Sequence, residues 1–432
     1  MKLASIEALY TIYCAHPSVV TDTRKLQQGD LYFALKGPNF NGNTFALAAL
    51  EAGAAFAIVD EVIANSGSYQ DRIVVVEDVL TTLQQLAKYH RQQFNIPFIA
   101  ITGSNGKTTT KELVYTVLAS HFKTYTTQGN LNNHIGVPLT LLSIPKDAEM
   151  AVIEMGANHQ KEIESYCTYT LPTFGMITNC GKAHLEGFGG VEGVKKGKGE
   201  LYDFLRAQNG TAFMMADYDY LQTMSQGINH IIGYGQYSGQ IQGEAMDADG
   251  MLTVKINKGI SLDTIQTHLV GNYNLPNVLA AVTIGQHFKV PNEKIKSAIG
   301  NYIPTNSRSQ LVQWQNNEVI LDAYNANPSS MKLAVDNFAT LNKANKVVCL
   351  GGMRELGTDT LMEHQILIDQ LKQNNWSEVV LVGSEFKNCT HDYHYFDTVI
   401  QAKAWLSAQQ LQGCTLLIKG SRGIQMEQLI AP

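Results

Sequence analysis

The stretch at residues 97–118 constrains the fold of this chain more than any other. Pro97 to Ile101 is an apolar run typical of a buried strand, and residues 111–118 carry apolar side chains at helical spacing. The turn between them reads Thr102-Gly103-Ser104-Asn105-Gly106-Lys107-Thr108-Thr109. A strand that enters a helix through such a turn directs backbone N–H groups and the positive end of the helix dipole at one point. The stretch therefore predicts a phosphate-binding loop.

The residues after Gly106 suit a nucleotide. We expect Lys107 to reach the terminal phosphates and the Thr108 hydroxyl to hold Mg2+. The strict P-loop spacing requires a glycine five residues before Gly106, where Ile101 stands. An ordinary glycine-rich turn is the alternative for this stretch alone, but the strand before it and the helix after it favour a nucleotide.

Composition argues against several classes of protein. The net charge of −6 over 432 residues gives no chain-wide footprint for nucleic acid or an anionic membrane. No stretch is long and apolar enough to span a bilayer, so we expect a cytoplasmic protein without membrane insertion. The six cysteines are scattered without a C-x-x-C pair, which favours reduced thiols over a metal site or a disulfide framework.

The order of apolar runs and turns predicts an α/β protein of three domains. Residues 1–80 read as a small N-terminal α/β domain, with an alanine-rich helix at 46–55. Residues 81–303 alternate buried strands with helices, as in a mostly parallel sheet covered on both faces. Residues 304–432 contain four strand-like runs, each followed by Gly, Asn or Ser, which indicates a separate Rossmann-like domain.

Polar groups follow the strands of the central domain. Glu154 ends one apolar run, and His184 comes shortly after another that ends at Asn179. A lysine-rich helix start that includes Lys198 follows. In parallel sheets ligands bind beyond the carboxyl ends of strands, so these groups are candidates for one site with Thr108. Taken singly, each is equally compatible with a solvated strand end, a loop histidine or a solvated helix face.

In the first domain, Thr23 and Arg24 follow Asp22 in a turn before a strand. They could bind an anionic ligand, but a capped turn with a surface arginine explains the same residues.

These motifs occur in the order found in a known family. After residues 102–109 the chain carries Glu154-Met155-Gly156-Ala157, Thr178-Asn179, Ala183-His184, Lys198-Gly199-Glu200, Gly271-Asn272-Tyr273-Asn274-Leu275-Pro276-Asn277, Ser307-Arg308, Asp322-Ala323-Tyr324-Asn325-Ala326-Asn327-Pro328, Gly352-Met353-Arg354-Glu355-Leu356-Gly357 and Lys419-Gly420-Ser421-Arg422-Gly423. In this set and order the chain resembles the Mur ligases, which share the departure at Ile101. The resemblance extends from residue 102 to residue 423.

The resemblance implies an N-terminal UDP-substrate domain, a central ATPase domain and a C-terminal Rossmann-like ligase domain. The strings Asp-Ala-Tyr-Asn-Ala-Asn-Pro and Glu-Met-Gly-Ala are most similar to those of the family member that joins D-alanyl-D-alanine to UDP-N-acetylmuramoyl-tripeptide. That reaction proceeds through an acyl phosphate and releases ADP and phosphate. The implied cofactors are ATP, two Mg2+ ions and a carbamylated lysine, and the implied setting is peptidoglycan precursor synthesis by a cytoplasmic monomer.

The family's site residues can be carried over position by position. The implied catalytic residues are Lys107, His184, Lys198 and Arg308. Thr108 and Glu154 would bind one Mg2+, and His184 with carbamylated Lys198 a second. An ammonium repels a metal ion, whereas a carbamate offers it an anionic oxygen.

The resemblance also implies contacts with the two nucleotides and the peptide. The implied ATP-binding residues of the loop are Thr102, Gly103, Ser104, Asn105, Gly106, Lys107, Thr108 and Thr109. Asn272, Asn274 and Asn277 would line the adenine, Arg308 the phosphates and Asp322 the ribose. The implied substrate-binding residues are Thr23 and Arg24 near the uridine, Asn130 and Asn133 near the muramoyl-peptide, and Asn325.

One departure and three alternatives accompany this interpretation. Asn41-Gly42-Asn43 stands where relatives often carry Asp-Gly-His, which affects the expected uridine contacts. The alternatives are a sister Mur ligase, a folylpolyglutamate synthase and a non-catalytic P-loop binding protein. The string Asp-Asn-Pro-Arg, typical of the sister that adds diaminopimelate, does not occur. The sequence leaves open whether the third peptide residue is diaminopimelate or lysine.

Overall fold

The computed structural model describes residues 4–248, 250–305 and 307–431, except for the side chains of residues 247 and 248. Residues 1–3, 249, 306 and 432 lie outside the described residues. The chain divides into two compact units. One comprises Met1–Ala100, Phe122–Gly156 and Glu162–Phe174, and the other Ile101–His121, Ala157–Lys161 and Gly175–Pro432. The predicted boundaries at residues 80 and 303 remain a proposal.

The N-terminal segment is built on a parallel sheet of four short strands. Its elements are α1 (Ile6–Ala15), β1 (Val19–Val20), β2 (Leu31–Phe33), β3 (Lys36–Gly37), β4 (Phe40–Asn41), α2 (Ala46–Glu51), β5 (Phe56–Val59), β6 (Ile73–Val75) and α3 (Val79–Arg91). The strand order is β1-β2-β5-β6, with each pair parallel, while β3 and β4 form a separate antiparallel pair. Buried alanines of α2 allow this helix to pack closely on β2 and β5.

A nine-stranded sheet dominates the middle of the chain. Its elements and their helices are β7 (Phe98–Thr102), α4 (Lys107–Ala119), β8 (Thr124–Thr126), α5 (Gly136–Leu142), β9 (Met150–Glu154), α6 (Glu162–Thr170), β10 (Phe174–Ile177), α7 (Leu185–Phe188), α8 (Val191–Ala207), β11 (Thr211–Met215), α9 (Asp219–Met224), β12 (His230–Gly235), β13 (Ile241–Ala248), β14 (Met251–Lys258), β15 (Thr264–Val270), α10 (Leu275–His287) and α11 (Asn292–Gly300). The strand order is β15-β14-β13-β12-β11-β10-β7-β9-β8.

This sheet is parallel at β8–β9 and through β11, β12 and β13, but β13, β14 and β15 run antiparallel. Every residue of β7 is buried, as is typical of a strand covered on both faces. In β14, by contrast, exposure alternates along the strand, because one of its faces is solvated.

The C-terminal segment is built on a mostly parallel sheet with one antiparallel edge strand. Its elements are β16 (Gln310–Trp314), β17 (Asn317–Asp322), α12 (Pro328–Thr340), β18 (Lys346–Gly351), α13 (Thr360–Leu371), β19 (Glu378–Val382), β20 (His394–Phe396), α14 (Val399–Ala408) and β21 (Thr415–Lys419). The strand order is β16-β17-β21-β18-β19-β20, and only β16 is antiparallel to its neighbour among these described strands. The predicted α/β class with mostly parallel sheets is therefore confirmed.

Across the described residues, no helix combines the length and apolar character needed to cross a membrane.

Candidate functional site

The turn between β7 and α4 has the geometry of an anion-binding loop. Gly103 adopts φ +144° and Gly106 φ +78°, a backbone region that favours glycine. A Cβ atom on Gly103 would lie 2.0 Å from the Thr178 hydroxyl, so this position also requires glycine for close packing. Because Gly106 offers no capping side chain to α4, the first N–H groups of this 13-residue helix face the loop.

The loop is fixed by the segment that follows β10. The Ser104 N–H donates to the Asn179 carbonyl oxygen (2.8 Å), and the Asn105 N–H donates to Asn179 Oδ1 (3.0 Å). The Thr178 hydroxyl donates to the Asn105 carbonyl oxygen (2.6 Å). The loop conformation is therefore set by hydrogen bonds that do not require a ligand.

Two of the predicted nucleotide residues start α4. Lys107 Nζ donates to the carbonyl oxygens of Gly103 (2.6 Å) and Ser104 (3.1 Å), so its ammonium lies over the loop. Thr108 is buried in the first turn of the helix. Thr102 is buried at the end of β7, and Thr109 is half-buried beside Thr108.

The three asparagines predicted to line the adenine differ in their surroundings. Thr110 Oγ1 donates to Asn277 Oδ1 (3.0 Å), and Asn277 Nδ2 donates to Asn274 Oδ1 (2.8 Å). These buried hydrogen bonds connect α4 to the start of α10. Asn272, by contrast, is exposed, and its N–H donates to Asn337 Oδ1 (3.3 Å).

Arg308 and Asp322 lie together at the end of β17. Asp322 Oδ1 accepts from the Ser309 N–H (3.0 Å), and Asp322 Oδ2 accepts from the buried ammonium of Lys419 (2.5 Å). The Arg308 guanidinium lies over the Tyr324 ring, 3.8 Å from its centroid. Asn325 is exposed, and only its carbonyl oxygen is near Lys419 Nζ (3.4 Å).

His184 immediately precedes α7 and has φ +52°. Its Nδ1 forms a hydrogen bond with Glu355 Oε2, and the Glu186 N–H donates to the Glu355 carbonyl oxygen (3.4 Å). The bond with His184 holds the pKa of Glu355 below its ordinary value of 4.5. The left-handed backbone at His184 thus presents its ring to the loop after β18.

Lys198 is almost wholly buried on α8, with 1% of its surface exposed. Its ammonium donates to the carbonyl oxygen of Ala157 (2.9 Å) and lies 4.8 Å from the centre of the Phe188 ring. A lysine buried to this degree is unusual, because a charged side chain loses its hydration when it is removed from water.

Glu154, Asn130 and Asn133 belong to the other compact unit. Glu154 is buried at the end of β9, where its Oε1 accepts from Asn132 Nδ2 (2.7 Å). Asn133 is exposed, and its Oδ1 accepts from the N–H groups of Ile135 and Gly136 at the start of α5. Asn130 is also exposed. Asn132, to which the sequence motifs assign no role, thus orients the Glu154 carboxylate.

Within the described residues, no group of three or more His, Cys, Asp or Glu side chains could hold a metal ion.

In the N-terminal segment, Arg24 is highly exposed and forms a two-pronged ion pair with Asp22 (2.9 and 2.8 Å). This pair lowers the pKa of Asp22 to about 2. Thr23 starts a short helical turn that Asp22 caps through the Arg24 N–H. Both readings of this turn remain compatible with the geometry, because Arg24 is exposed to solvent.

The departure at Asn41-Gly42-Asn43 has a local explanation. Asn43 is buried and forms two hydrogen bonds with Asp60, from Nδ2 to Oδ1 (2.8 Å) and from the Asp60 N–H to Asn43 Oδ1 (3.1 Å). Asn41 Nδ2 donates to both oxygens of Glu61 (3.1 Å each). An aspartate at position 41 could not donate to Glu61, so the amide suits its acidic neighbour.

Two further residues link the phosphate loop and the segment after β10 to the C-terminal segment. Asn327 Nδ2 donates to Asn105 Oδ1 (2.8 Å), while Asn327 Oδ1 accepts from the Ser330 N–H and caps α12. Lys182 forms an ion pair with the buried Glu363 (2.6 Å). Asn327 lies within one of the sequence motifs, but the motif predicts no role for it, because its partner Asn105 is 222 positions away.

Comparison with known proteins agrees with this arrangement. The model of the Mur ligase middle domain matches residues 101–285, and that of the Mur ligase glutamate ligase domain matches residues 307–422. The UDP-N-acetylmuramoyl-tripeptide–D-alanyl-D-alanine ligase of Bacillus subtilis is 32% identical over 425 residues, which cover 95% of this chain and 92% of the relative. The chain belongs to the Mur ligase family.

Solved structures of Mur ligases extend the comparison. The crystal structure of MurF from Acinetobacter baumannii has a TM-score of 0.86 and 31% identity, with 95% of this chain and 92% of that chain covered. The MurF ligase of Thermotoga maritima in complex with ADP has a TM-score of 0.85 and 25% identity, with 95% and 96% covered. The three-domain fold that the sequence predicted is therefore that of Mur ligases along nearly the whole chain.

Proposed function

We propose that this Mur ligase joins D-alanyl-D-alanine to UDP-N-acetylmuramoyl-tripeptide, with cleavage of ATP to ADP and phosphate, in peptidoglycan precursor synthesis. The observation that carries the proposal is the similarity to ligases of that name over nearly the full length of both chains. The chain contains the string Asp-Ala-Tyr-Asn-Ala-Asn-Pro and does not contain Asp-Asn-Pro-Arg, which favours this family member over the sister ligases.

The phosphate loop is the proposed site of the triphosphate. When ATP binds, the Lys107 ammonium moves from the carbonyl oxygens of Gly103 and Ser104 to phosphate oxygens. The N–H groups at the start of α4 add donors to the same oxygens. The peptide carboxylate then attacks the γ-phosphate to form an acyl phosphate, and Lys107 and Arg308 neutralise the developing charge. The amine of D-alanyl-D-alanine attacks the acyl carbon, and phosphate leaves.

The donor groups present suit Mg2+. Mg2+ is usually held by one or two carboxylates together with phosphate and water oxygens. Glu154 and Thr108 supply oxygen donors of this kind, and the Asn132 side-chain amide orients the Glu154 carboxylate through a hydrogen bond. Bound Mg2+ would supply charge neutralisation at the phosphates. His184 and Lys198 are the proposed protein residues at a second ion.

Carbamylation of Lys198 is part of this proposal. Its support is the burial of the ammonium, which donates to the carbonyl oxygen of Ala157 and lies beside the Phe188 ring. A carbamate at this position would replace a positive charge by an anionic oxygen ligand. The UDP contacts of Thr23 and Arg24, the peptide contacts of Asn130, Asn133 and Asn325, the monomeric state and the cytoplasmic location stay predictions.

The proposal is tested by incubating the purified protein with ATP, Mg2+, each of two UDP-N-acetylmuramoyl-tripeptides (diaminopimelate or lysine at the third residue) and a panel of amines. We expect the product mass to equal that of one tripeptide plus D-alanyl-D-alanine less one water, and phosphate release to depend on both substrates. Condensation with a single amino acid in place of the dipeptide would contradict the proposal and favour a sister ligase. ATP binding without any product would favour a non-catalytic protein.

A further inference from the structure

The Tyr324 ring supports the Arg308 guanidinium. The Arg308 Cζ atom lies 3.8 Å from the ring centroid, which is within the range of a close cation–π stack. Arg308 Nε is buried, and no described residue accepts a hydrogen bond from it. The orientation of this guanidinium is therefore set by an aromatic face, and at least one N–H donor is left for a ligand oxygen.

The backbone joins the same two residues. The Tyr324 N–H donates to the Ser307 carbonyl oxygen (3.2 Å), and the Ser309 N–H donates to Asp322 Oδ1 (3.0 Å). Ser307 and Ser309 both have φ +50°, a left-handed conformation that costs energy for a residue with a side chain. The segment after β17 thus holds the residues on either side of Arg308 in a strained conformation while Tyr324 holds its side chain.

A second arginine on the same ring provides a contrast. The Arg422 Cζ atom lies 5.8 Å from the Tyr324 centroid, and Arg422 Nη1 donates to Glu427 Oε1 (2.8 Å). Arg422 is thus paired with a carboxylate and lies farther from the ring. Of the two cations, Arg308 is the one whose position depends on Tyr324.

We propose that Tyr324 is a positioning residue, which acts on ATP through Arg308 by holding its guanidinium in the orientation that meets the phosphates. This inference rests on the proposed function, in which Arg308 binds ATP. An arginine that is pre-oriented by stacking loses less side-chain freedom when it binds an anion. Removal of the aromatic face should therefore lower kcat/KM for ATP without altering the binding of the dipeptide.

The test compares Tyr324→Leu with Tyr324→Phe and with Arg308→Ala. Because cation–π stacking contributes roughly 0.5–2 kcal/mol, we expect Tyr324→Leu to lower kcat/KM for ATP by about 2- to 30-fold. The KM for D-alanyl-D-alanine should stay the same. Tyr324→Phe keeps the ring and should retain most of kcat/KM. Tyr237→Leu, the same change at a highly exposed tyrosine, is the matched control.

A double variant separates this account from direct contact between Tyr324 and the nucleotide. If Tyr324 acts through Arg308, Tyr324→Leu causes no further loss in an Arg308→Ala background. A further loss of the full size in that background would overturn the inference. So would an unimpaired Tyr324→Leu when Arg308→Ala is impaired. An unimpaired Arg308→Ala would instead overturn the role of Arg308 in the proposed function. If Tyr324→Leu fails to fold, Tyr324→Met, which also lacks an aromatic face, gives the same comparison.

Discussion

Gly106→Ala perturbs the phosphate loop without removing any functional group. At φ +78° an alanine adopts a left-handed conformation, which costs about 1 kcal/mol. Its Cβ would also lie 2.7 Å from Asn277 Oδ1. Asn277 is buried and has hydrogen bonds to Thr110 and Asn274, so its amide cannot swing away freely. Weakening the 3.0 Å bond from Thr110 adds about 1 kcal/mol.

We therefore expect Gly106→Ala to destabilise the start of α4 by about 2 kcal/mol. Gly413→Ala is the matched control, because Gly413 has φ +63° with no atom within 4 Å of the added Cβ, so only the backbone cost of about 1 kcal/mol applies. Hydrogen exchange of a peptide from residues 103–118, followed by mass spectrometry, measures the local opening directly.

The predicted result is faster exchange at the start of α4 in Gly106→Ala, with unchanged exchange there in Gly413→Ala. The variant Gly106→Ala should also lower kcat/KM for ATP. Asn277→Ala removes the crowded oxygen, so adding it to Gly106→Ala should cost less than the sum of the single changes. Equal exchange in the two glycine variants would refute the predicted destabilisation at Gly106. Fully additive effects in the double variant would refute the reasoning from Asn277.

The remaining predictions concern Lys198, Asn327 and two buried histidines. Lys198→Ala should lose activity and regain part of it with small carboxylates; unchanged activity without additive would exclude the carbamate. Asn327→Ser keeps an oxygen that caps α12 but loses the amide that donates to Asn105. It should therefore raise the KM for ATP several-fold, with a smaller loss of thermal stability than Asn327→Ala. Equal losses of thermal stability and an unchanged KM in Asn327→Ser would contradict this. Burial lowers the pKa of His90 and His364 below 6.5, so the unfolded chain binds protons at a higher pH than the folded chain does. The free energy of unfolding should therefore fall as the pH decreases below 6.5. A urea midpoint that rises on acidification would contradict this.

The strands that carry the site could be predicted because each is an apolar run bounded by glycine or polar residues. β7 and β9 lie within one residue of the expected positions. α4 begins at Lys107 rather than at residue 111, because the polar first turn lacks the apolar periodicity that marks the rest of the helix. The antiparallel strands β13, β14 and β15 were not predicted, since their partly exposed faces carry polar residues that resemble loops.

The links between distant segments could not be predicted. Asn132 and Asn327 act on Glu154 and Asn105 through single hydrogen bonds. The sequence around neither residue predicts its partner, because an amide side chain can donate to or accept from many different groups. The pairing of Asn43 with Asp60 is of the same kind. Motif order located the loop residues, whereas their supporting contacts depend on the tertiary structure.

The central claim is that the γ-phosphate of ATP passes to the peptide carboxylate at the loop that contains Lys107. The most direct measurement follows oxygen-18 from a labelled carboxylate of UDP-N-acetylmuramoyl-tripeptide during ligation to D-alanyl-D-alanine. An acyl phosphate predicts that one labelled oxygen leaves in the released phosphate, and that Lys107→Ala abolishes both the transfer and the product. Product formed with unlabelled phosphate, or undiminished label transfer in Lys107→Ala, would contradict the account.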